Sequence, residues 1–162
     1  MSYVYRAVMG GWDTMPVGAW YSILDQTADD VNDATVVTVQ NTDFARDIVV
    51  VDGSKFTVSQ AGIYNLQFSI QLHNTSGGGS SAHAHIWFSK NGTSIPNSGS
   101  RISVTPNNPY ALPAWNYMVE LSVGGYVEIY WSTNHANIKL EQQAASEHPV
   151  IPSVIVTMNQ VG

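Results

Sequence analysis

The chain has 162 residues, a formal net charge of −6 and no cysteine. The length suits one domain, and the absent cysteines exclude disulfides and thiolate chemistry. The six basic residues do not cluster, which argues against nucleic-acid binding. Charged residues make up only 11% of the chain, against roughly 25% in typical soluble domains. Because charge depletion is typical of buried interfaces, the composition favours a stable oligomer.

Residues 1–18 show little alternation and differ from the rest of the chain. We interpret them as an N-terminal arm that becomes ordered by docking on a partner. They contain no basic segment followed by an apolar one, so we expect no signal peptide. No apolar run is long enough to cross a bilayer, so we expect no membrane insertion. The residues expected to contact the partner are Tyr3, Tyr5, Met9, Trp12 and Met15.

Residues 19–162 predict a single all-β domain, because short β-branched or alternating runs follow one another without helical periodicity. An acidic loop, residues 26–33, follows the first strand, and Asp52-Gly53 and Asn91-Gly92 are hairpin signals. About ten strands at this spacing predict a two-sheet antiparallel sandwich of the jelly-roll kind. The predicted strands are residues 19–25, 34–40, 48–51, 55–58, 62–73, 82–90, 101–105, 114–123, 126–133, 137–141 and 153–161.

The strand over residues 62–73 alternates without interruption from Tyr64 onward. Five apolar residues share one face and predict a buried side: Tyr64, Leu66, Phe68, Ile70 and Leu72. Five polar residues share the other face: Asn65, Gln67, Ser69, Gln71 and His73. This second face carries no carboxylate and no ammonium group, so it can lie against another protein as readily as against water.

Two groups of residues have side chains of the types that bind metal ions. His83 and His85 share one strand face and could bind a metal together, as in the cupin metal enzymes. The cupin pattern then needs a glutamate, but Ser89 and Lys90 follow, so we expect a plain sheet face. The aspartates at 25, 29, 30 and 33 lack the spacing of a calcium loop, and we expect a solvated loop. We therefore predict no catalytic residue, no metal and no cofactor.

The tryptophans and tyrosines are too many for one core of this size. Because these residues are favoured at interfaces, we expect some of them at subunit contacts or on a carbohydrate-binding surface. The set comprises Trp12, Trp20, Tyr21, Trp87, Trp115, Tyr117, Tyr126, Tyr130 and Trp131.

Two motifs resemble the tumour-necrosis-factor-like jelly roll, a fold shared with the complement globular heads. Residues 56–64 look like its entry into the long central strand, and residues 119–129 resemble its later hairpin, with Gly125 in place of the usual acid. Residues 90–98, 114–116 and 151–155 are similar to the bacteriophage branch of the fold. The resemblance implies a homotrimer whose inner sheets face a threefold axis, with no enzyme activity. It therefore assigns the polar face of residues 65–73 to the trimer interface.

The resulting hypothesis is a non-enzymatic bacteriophage virion protein that decorates and stabilises the capsid as a trimer. The single domain, which has no fibre shaft, favours this role over a fibre. Its expected partners are itself and the major capsid protein or another virion protein, and its expected location is the virion surface after synthesis in the host cytoplasm.

The alternative is a receptor-binding module of a tail or head fibre, whose loops 74–82, 106–113 and 134–148 would meet a host glycan or protein. A cupin-like metal enzyme is the remote alternative.

Overall fold

The computed structural model describes residues 15–75 and 79–162. Of the predicted arm contacts, Met15 lies within this part, and Tyr3, Tyr5, Met9 and Trp12 lie outside it. No helix of the described part is long and apolar enough to span a bilayer. The described residues form one 3₁₀ turn, Gly79–Ser81, and sixteen strands: β1 Val17–Ser22, β2 Gln26–Thr27, β3 Thr35–Val36, β4 Asn41–Arg46, β5 Ile48–Val51, β6 Lys55–Val58, β7 Gly62–Ile70, β8 Leu72–Asn74, β9 His83–Lys90, β10 Thr93–Ser94, β11 Ser100–Ser103, β12 Tyr110–Ala111, β13 Ala114–Leu121, β14 Tyr126–Thr133, β15 Ile138–Leu140 and β16 Val154–Gln160.

The strands form two large antiparallel sheets and one small one. The five-stranded sheet has the order β13-β7-β16-β1-β4. The seven-stranded sheet runs β10-β9-β14-β6-β5, with β11 added to β9 and β3 added to β14. The small sheet, β12-β8-β15-β2, continues from the end of β7. This is the predicted all-β sandwich, and the prediction of the fold class is confirmed.

Aromatic side chains from the two large sheets meet in the core. The ring centroids of Trp20 and Phe56 lie 5.2 Å apart, edge to face. Those of Phe68 and Phe88 lie 5.7 Å apart in the same geometry. Each pair joins one strand of each sheet, and edge-to-face pairs contribute about 0.5–1.5 kcal/mol beyond the area that they bury. The five predicted core residues of the long strand are all buried: Tyr64, Leu66, Phe68, Ile70 and Leu72.

Local signals predicted the longer strands and the hairpins well. Strand β14 has the predicted bounds, and β9 begins one residue later than predicted. Both residues of Asn91-Gly92 have positive φ, 50° and 79°, as a type I′ hairpin turn requires. Asp52-Gly53 also has positive φ values, 54° and 75°, and joins β5 to β6 together with Ser54 as a third loop residue.

Four features of the strand prediction were wrong. The estimate of about ten strands is too low, because pairing with distant residues creates two-residue strands such as β2, inside the predicted acidic loop. The predicted strand at 34–40 is reduced to Thr35–Val36, since the amide of Val37 donates to Ile129 in β14 and that of Val39 to Gly53 in the loop between β5 and β6. The long strand is interrupted at Gln71. Strand β4 was missed, and it forms an edge of the five-stranded sheet.

Gly18 makes room for Trp20, one of the two tryptophans of the core, and this close approach predicts an effect on stability. A Cβ atom at position 18 would lie 2.3 Å from the Trp20 ring, which is buried. We expect Gly18→Ala to lower the free energy of unfolding by about 1–3 kcal/mol through overpacking. The neighbouring Ala19 points outward, so Ala19→Ser should change it by less than about 0.5 kcal/mol. Urea denaturation of both variants measures the difference, and equal stability would contradict the close approach at Gly18.

Candidate interaction surfaces

The charge-poor face is the outward surface of the five-stranded sheet. Side chains of β7, β16 and β1 alternate between buried and exposed, and the strand register places the exposed ones in common rows. One row runs across the whole sheet through Asn116, Gln67, Thr157, Ala19 and Phe44. The outward residues of the three central strands are Ile63, Asn65, Gln67, Ser69, Ile155, Thr157, Asn159, Val17, Ala19 and Tyr21.

None of these ten residues is charged. Charge appears only on the two edge strands of the sheet, at Glu120 of β13 and at Asp43 and Arg46 of β4. The Arg46 guanidinium donates to the Met15 carbonyl through Nε (3.1 Å) and Nη2 (2.9 Å). The centre of the face therefore combines amides, hydroxyls and apolar groups.

Large apolar side chains are exposed on the same face. Met118 is 60% exposed, Phe44 53%, and Ile63 and Ile155 are each more than 40% exposed. A groove of about 440 Å³ opens at one end of the face, between Tyr21 and Ile155 of the sheet and the segment containing Pro149. Its lining is mainly apolar.

The structure brings together three of the five residues predicted for the interface. Asn65, Gln67 and Ser69 lie side by side on β7, and the Asn116 amide donates to the Asn65 side-chain oxygen at 3.0 Å. Gln71 lies between β7 and β8, where its amide donates to the Ser153 carbonyl and its carbonyl accepts from Glu141. His73 lies in the small sheet.

His73 belongs to a network of ionisable groups. Its Nδ1 lies 2.7 Å from Glu141 Oε1, and its ring stacks on Tyr110 with centroids 4.3 Å apart. Lys139 Nζ lies 3.0 Å from Glu141 and 2.7 Å from Asp25. Asp25 also accepts from the backbone amide of Gln142. The network connects β8 and β15 with the segment after β1.

The network lowers the pKa of both carboxyl groups. Burial alone would raise the pKa of Asp25, but hydrogen bonds from Lys139 and the Gln142 amide outweigh it. Burial likewise acts to raise the pKa of Glu141, and hydrogen bonds with His73 and Lys139 reverse that effect. Lys139 in turn has a raised pKa, chiefly through its hydrogen bonds to Asp25 and Glu141.

His83 and His85 lie on the outward face of the seven-stranded sheet, as predicted. Their ring centroids are 4.9 Å apart. His83 Nδ1 lies 2.6 Å from the Ser81 carbonyl, so that nitrogen carries a proton. Arg101 Nη2 lies 3.2 Å from the same nitrogen. Among the described residues, no three His, Asp or Glu side chains are arranged to share a metal ion.

The acidic loop is largely exposed, and part of it is paired. Asp30 accepts from the amide of Val31 at 2.7 Å, and the amide of Asp29 donates to the Thr35 hydroxyl at 3.0 Å. These contacts stabilise the loop, and Asp25 is engaged elsewhere with Lys139. The four aspartates therefore do not form one cluster.

The aromatic residues divide between core and surface. Trp20 and Trp131 are buried, and Trp115 and Tyr117 pack against the core. Tyr21, Trp87, Tyr126 and Tyr130 lie half-buried on sheet faces, and Trp12 is outside the described residues. The indole of Trp87 and the phenol ring of Tyr130 stack with centroids 5.9 Å apart and planes 21° apart. The sequence signalled the surplus of aromatic rings but not this pair.

Three predicted loops meet at one end of the sandwich. The amide of Asn74 donates to the Pro109 carbonyl, and the amide of Thr75 donates to the Asn137 carbonyl. Asn134 bonds both Ser81 and His83 through its side chain. Residues 141–151 instead return along the groove, with a bridge between Gln143 and Ile151.

The lowered pKa values predict how stability depends on acid. The two carboxylates stabilise the fold above about pH 4.5, and this contribution is lost as pH falls through their lowered folded-state pKa values. Glu141→Gln should therefore reduce stability at pH 7 and flatten its decline between pH 5 and pH 3. Glu147→Gln removes the same charge from an exposed residue and should leave the decline unchanged. Thermal unfolding across this range measures both, and parallel curves for Glu141→Gln and the unmodified protein would contradict the role of the network.

Comparison with known proteins identifies the fold. No protein-family model matches the chain, and no curated protein sequence matches it. The crystal structure of murine APRIL at pH 5.0 is similar, with a TM-score of 0.59 and 16% identity over 91% of this chain and 99% of that chain. The murine APRIL structures at pH 8.5 and pH 8.0 have the same coverage, with TM-scores of 0.57 and 0.58 and identities of 15% and 14%. The chain therefore has the tumour-necrosis-factor-like jelly-roll fold.

Proposed function

We propose that this protein is a non-enzymatic homotrimer that decorates the capsid of a bacteriophage and stabilises it from the virion surface. The main support for a trimer is the composition of the charge-poor face. A sheet surface whose three central strands lack charge, and which exposes Ile63, Met118 and Ile155, has the composition of a protein interface.

The size of the face suits this role. Five strands spaced about 4.8 Å apart, each about 20–30 Å long, cover an area on the order of 500 Å² before side-chain relief is counted. A standard interface buries about 800 Å² per partner, the same order. Packing the face against a second and third copy would remove its exposed apolar groups from water, and its amides would pair across the contact. In this arrangement Asn65, Gln67 and Ser69 occupy the centre, and Gln71 and His73 lie at the margin.

The start of the described chain favours a second contact, made by the arm. The Met15 carbonyl is held by Arg46, and the Pro16 carbonyl accepts from the amide of Gln160. The described chain therefore begins at a corner of the charge-poor face. We propose that Tyr3, Tyr5, Met9, Trp12 and Met15 contact the major capsid protein or another virion protein. The similarity of residues 90–98, 114–116 and 151–155 to the bacteriophage branch supports the virion as the setting.

A receptor-binding module of a tail or head fibre is the second candidate. It is favoured by the meeting of residues 74–75 and 79–82 with residues 106–113 and 134–138 at one end of the sandwich. Loops gathered on a rigid scaffold are a common form of binding site.

Trimerisation gives a direct prediction for solution mass. Light scattering should report about three times the chain mass of 17.6 kDa. Gln67→Arg places a charge at the centre of the face and should dissociate the trimer, because a desolvated charge without a partner is costly. Val49→Arg adds the same charge to an exposed residue of the other sheet and should leave the trimer intact. A monomeric mass for the unmodified protein would overturn the proposed interface.

Position on the particle separates the two candidates. Cryo-electron microscopy of the virion should show hundreds of copies on the capsid, and particles lacking the protein should open at lower temperature. Deleting residues 1–14 should abolish capsid binding and leave a trimer in solution. A few dozen copies or fewer at a tail or fibre tip, together with binding of the purified protein to host cells, would support the receptor-binding module and contradict decoration.

A further inference from the structure

A cluster of one guanidinium and two imidazoles lies on the outward face of the seven-stranded sheet, on the opposite side of the sandwich from the charge-poor face. Arg101 of β11 lies directly opposite His85 of β9, and His83 shares the same face two residues earlier. The Arg101 guanidinium and the His85 ring are both exposed. The cluster comprises Arg101, His83 and His85.

No carboxylate in the described part of the chain balances this cluster. The ion pairs there involve Lys55, His73 and Lys139. His83 does not supply a hydrogen-bond acceptor for the Arg101 guanidinium. Its Nδ1–H donates to the Ser81 carbonyl, so this nitrogen cannot also accept a guanidinium hydrogen. An exposed guanidinium beside two imidazoles therefore has donors available for an anion, in a protein whose formal net charge is −6.

The surroundings of His85 disfavour its protonated form when nothing is bound. Burial lowers its pKa, and the nearby His83 and Arg101 lower it further. Across β14, Ser132 faces His85 directly and Tyr130 is the next outward residue. Glu128 follows on the same strand, but its carboxylate is buried and accepts from the Ser54 hydroxyl at 2.9 Å. A bound anion would supply the missing negative charge and raise the pKa of His85.

An aromatic platform adjoins the cluster. Trp87 follows His85 on the same face of β9, about 7 Å along the strand, and stacks with Tyr130. The Trp87 indole N–H donates to the Ser94 hydroxyl at 3.1 Å, which fixes the ring. Both rings remain partly exposed. A fixed aromatic surface favours the C–H face of a sugar ring, and the neighbouring guanidinium favours a carboxylate.

We propose that this face binds an acidic saccharide, with the sugar ring on Trp87 and Tyr130 and its carboxylate on Arg101 and His85. The site does not depend on the proposed function, because it uses residues of one chain on the sheet opposite the charge-poor face. In a trimer formed through the charge-poor face, the site would point away from the threefold axis.

The test uses the full chain and two matched probes, a tetrasaccharide of β-1,4-linked glucuronic acid and cellotetraose. The two probes have the same linkage, but each sugar of the first carries a carboxylate where each sugar of cellotetraose carries a hydroxymethyl group. Nuclear magnetic resonance should show the acidic probe shifting the Trp87 indole and His85 ring signals, with a raised His85 pKa in the complex. Affinity should therefore increase as pH falls through the titration of His85.

Arg101→Gln should weaken binding of the acidic probe at least tenfold, and Arg101→Lys should retain part of the affinity that Arg101→Gln loses.

Lys90→Gln is the matched control, because it removes one positive charge from the far end of β9. It should change the affinity by less than twofold, and unfolding curves of all variants should show intact folds. The proposal is overturned if the acidic probe does not bind at 10 mM, if cellotetraose binds equally well, or if Arg101→Gln and Lys90→Gln have the same effect. It is also overturned if inorganic phosphate binds as tightly as the saccharide and Trp87→Leu does not weaken saccharide binding.

Discussion

The contact between aromatic rings of the two large sheets is the constraint on which the rest of this structure depends. Trp20 and Phe68 come from the five-stranded sheet, and Phe56 and Phe88 come from the other. Because side chains alternate along a strand, fixing Trp20 inward directs Ala19 and Tyr21 outward. Fixing Phe68 inward does the same for Gln67 and Ser69. A slip of one residue in either strand would place polar groups in the core, so the core determines the composition of both outer faces.

The distribution of charge follows from this division. The central strands of the five-stranded sheet carry no outward charge, and ionic groups instead gather in the small sheet, around Lys139 and Glu141. A charge at the centre of a protein contact would lose its hydration, and it would need a partner on every neighbouring copy. Amides avoid this cost, since each can donate and accept across the contact. The face is therefore polar enough to remain hydrated in a single copy and suited to close contact between copies.

Alternation and turn chemistry made much of the fold predictable from the sequence. Strands β7, β9 and β14 alternate strongly, and the residues Asn91-Gly92 adopt the backbone angles that their types favour. Strand β4, Asn41–Arg46, could not be found in this way, because it is polar, lacks a β-branched run and exists through its pairing with β1. Tertiary pairing likewise decided where the strand over residues 34–40 ended.

Long-range contacts also limited how well the sequence could predict the interface residues. The period of two placed Asn65, Gln67 and Ser69 on one face, as the structure has them. It could not predict that Gln71 would lie outside the strands, or that His73 would pair with Glu141, 68 positions away in the chain. The cluster of His83, His85 and Arg101 shows the same limit, since the pairing of β11 with β9 brings the arginine to the histidines. Spacing within one strand revealed the histidines alone.

The two outer faces also differ in the chemistry that pH can change. On the central strands of the charge-poor face, no described residue titrates near neutral pH, so contacts made there should be equally strong in mildly acidic and neutral conditions. The opposite face carries the imidazole of His85 beside Arg101, and imidazoles are the side chains whose charge changes in this range. An anion bound there would interact with a site whose charge increases on acidification. One sandwich can thus hold a pH-insensitive contact on one side and a pH-sensitive site on the other, because the alternation of its strands keeps the two sets of side chains apart.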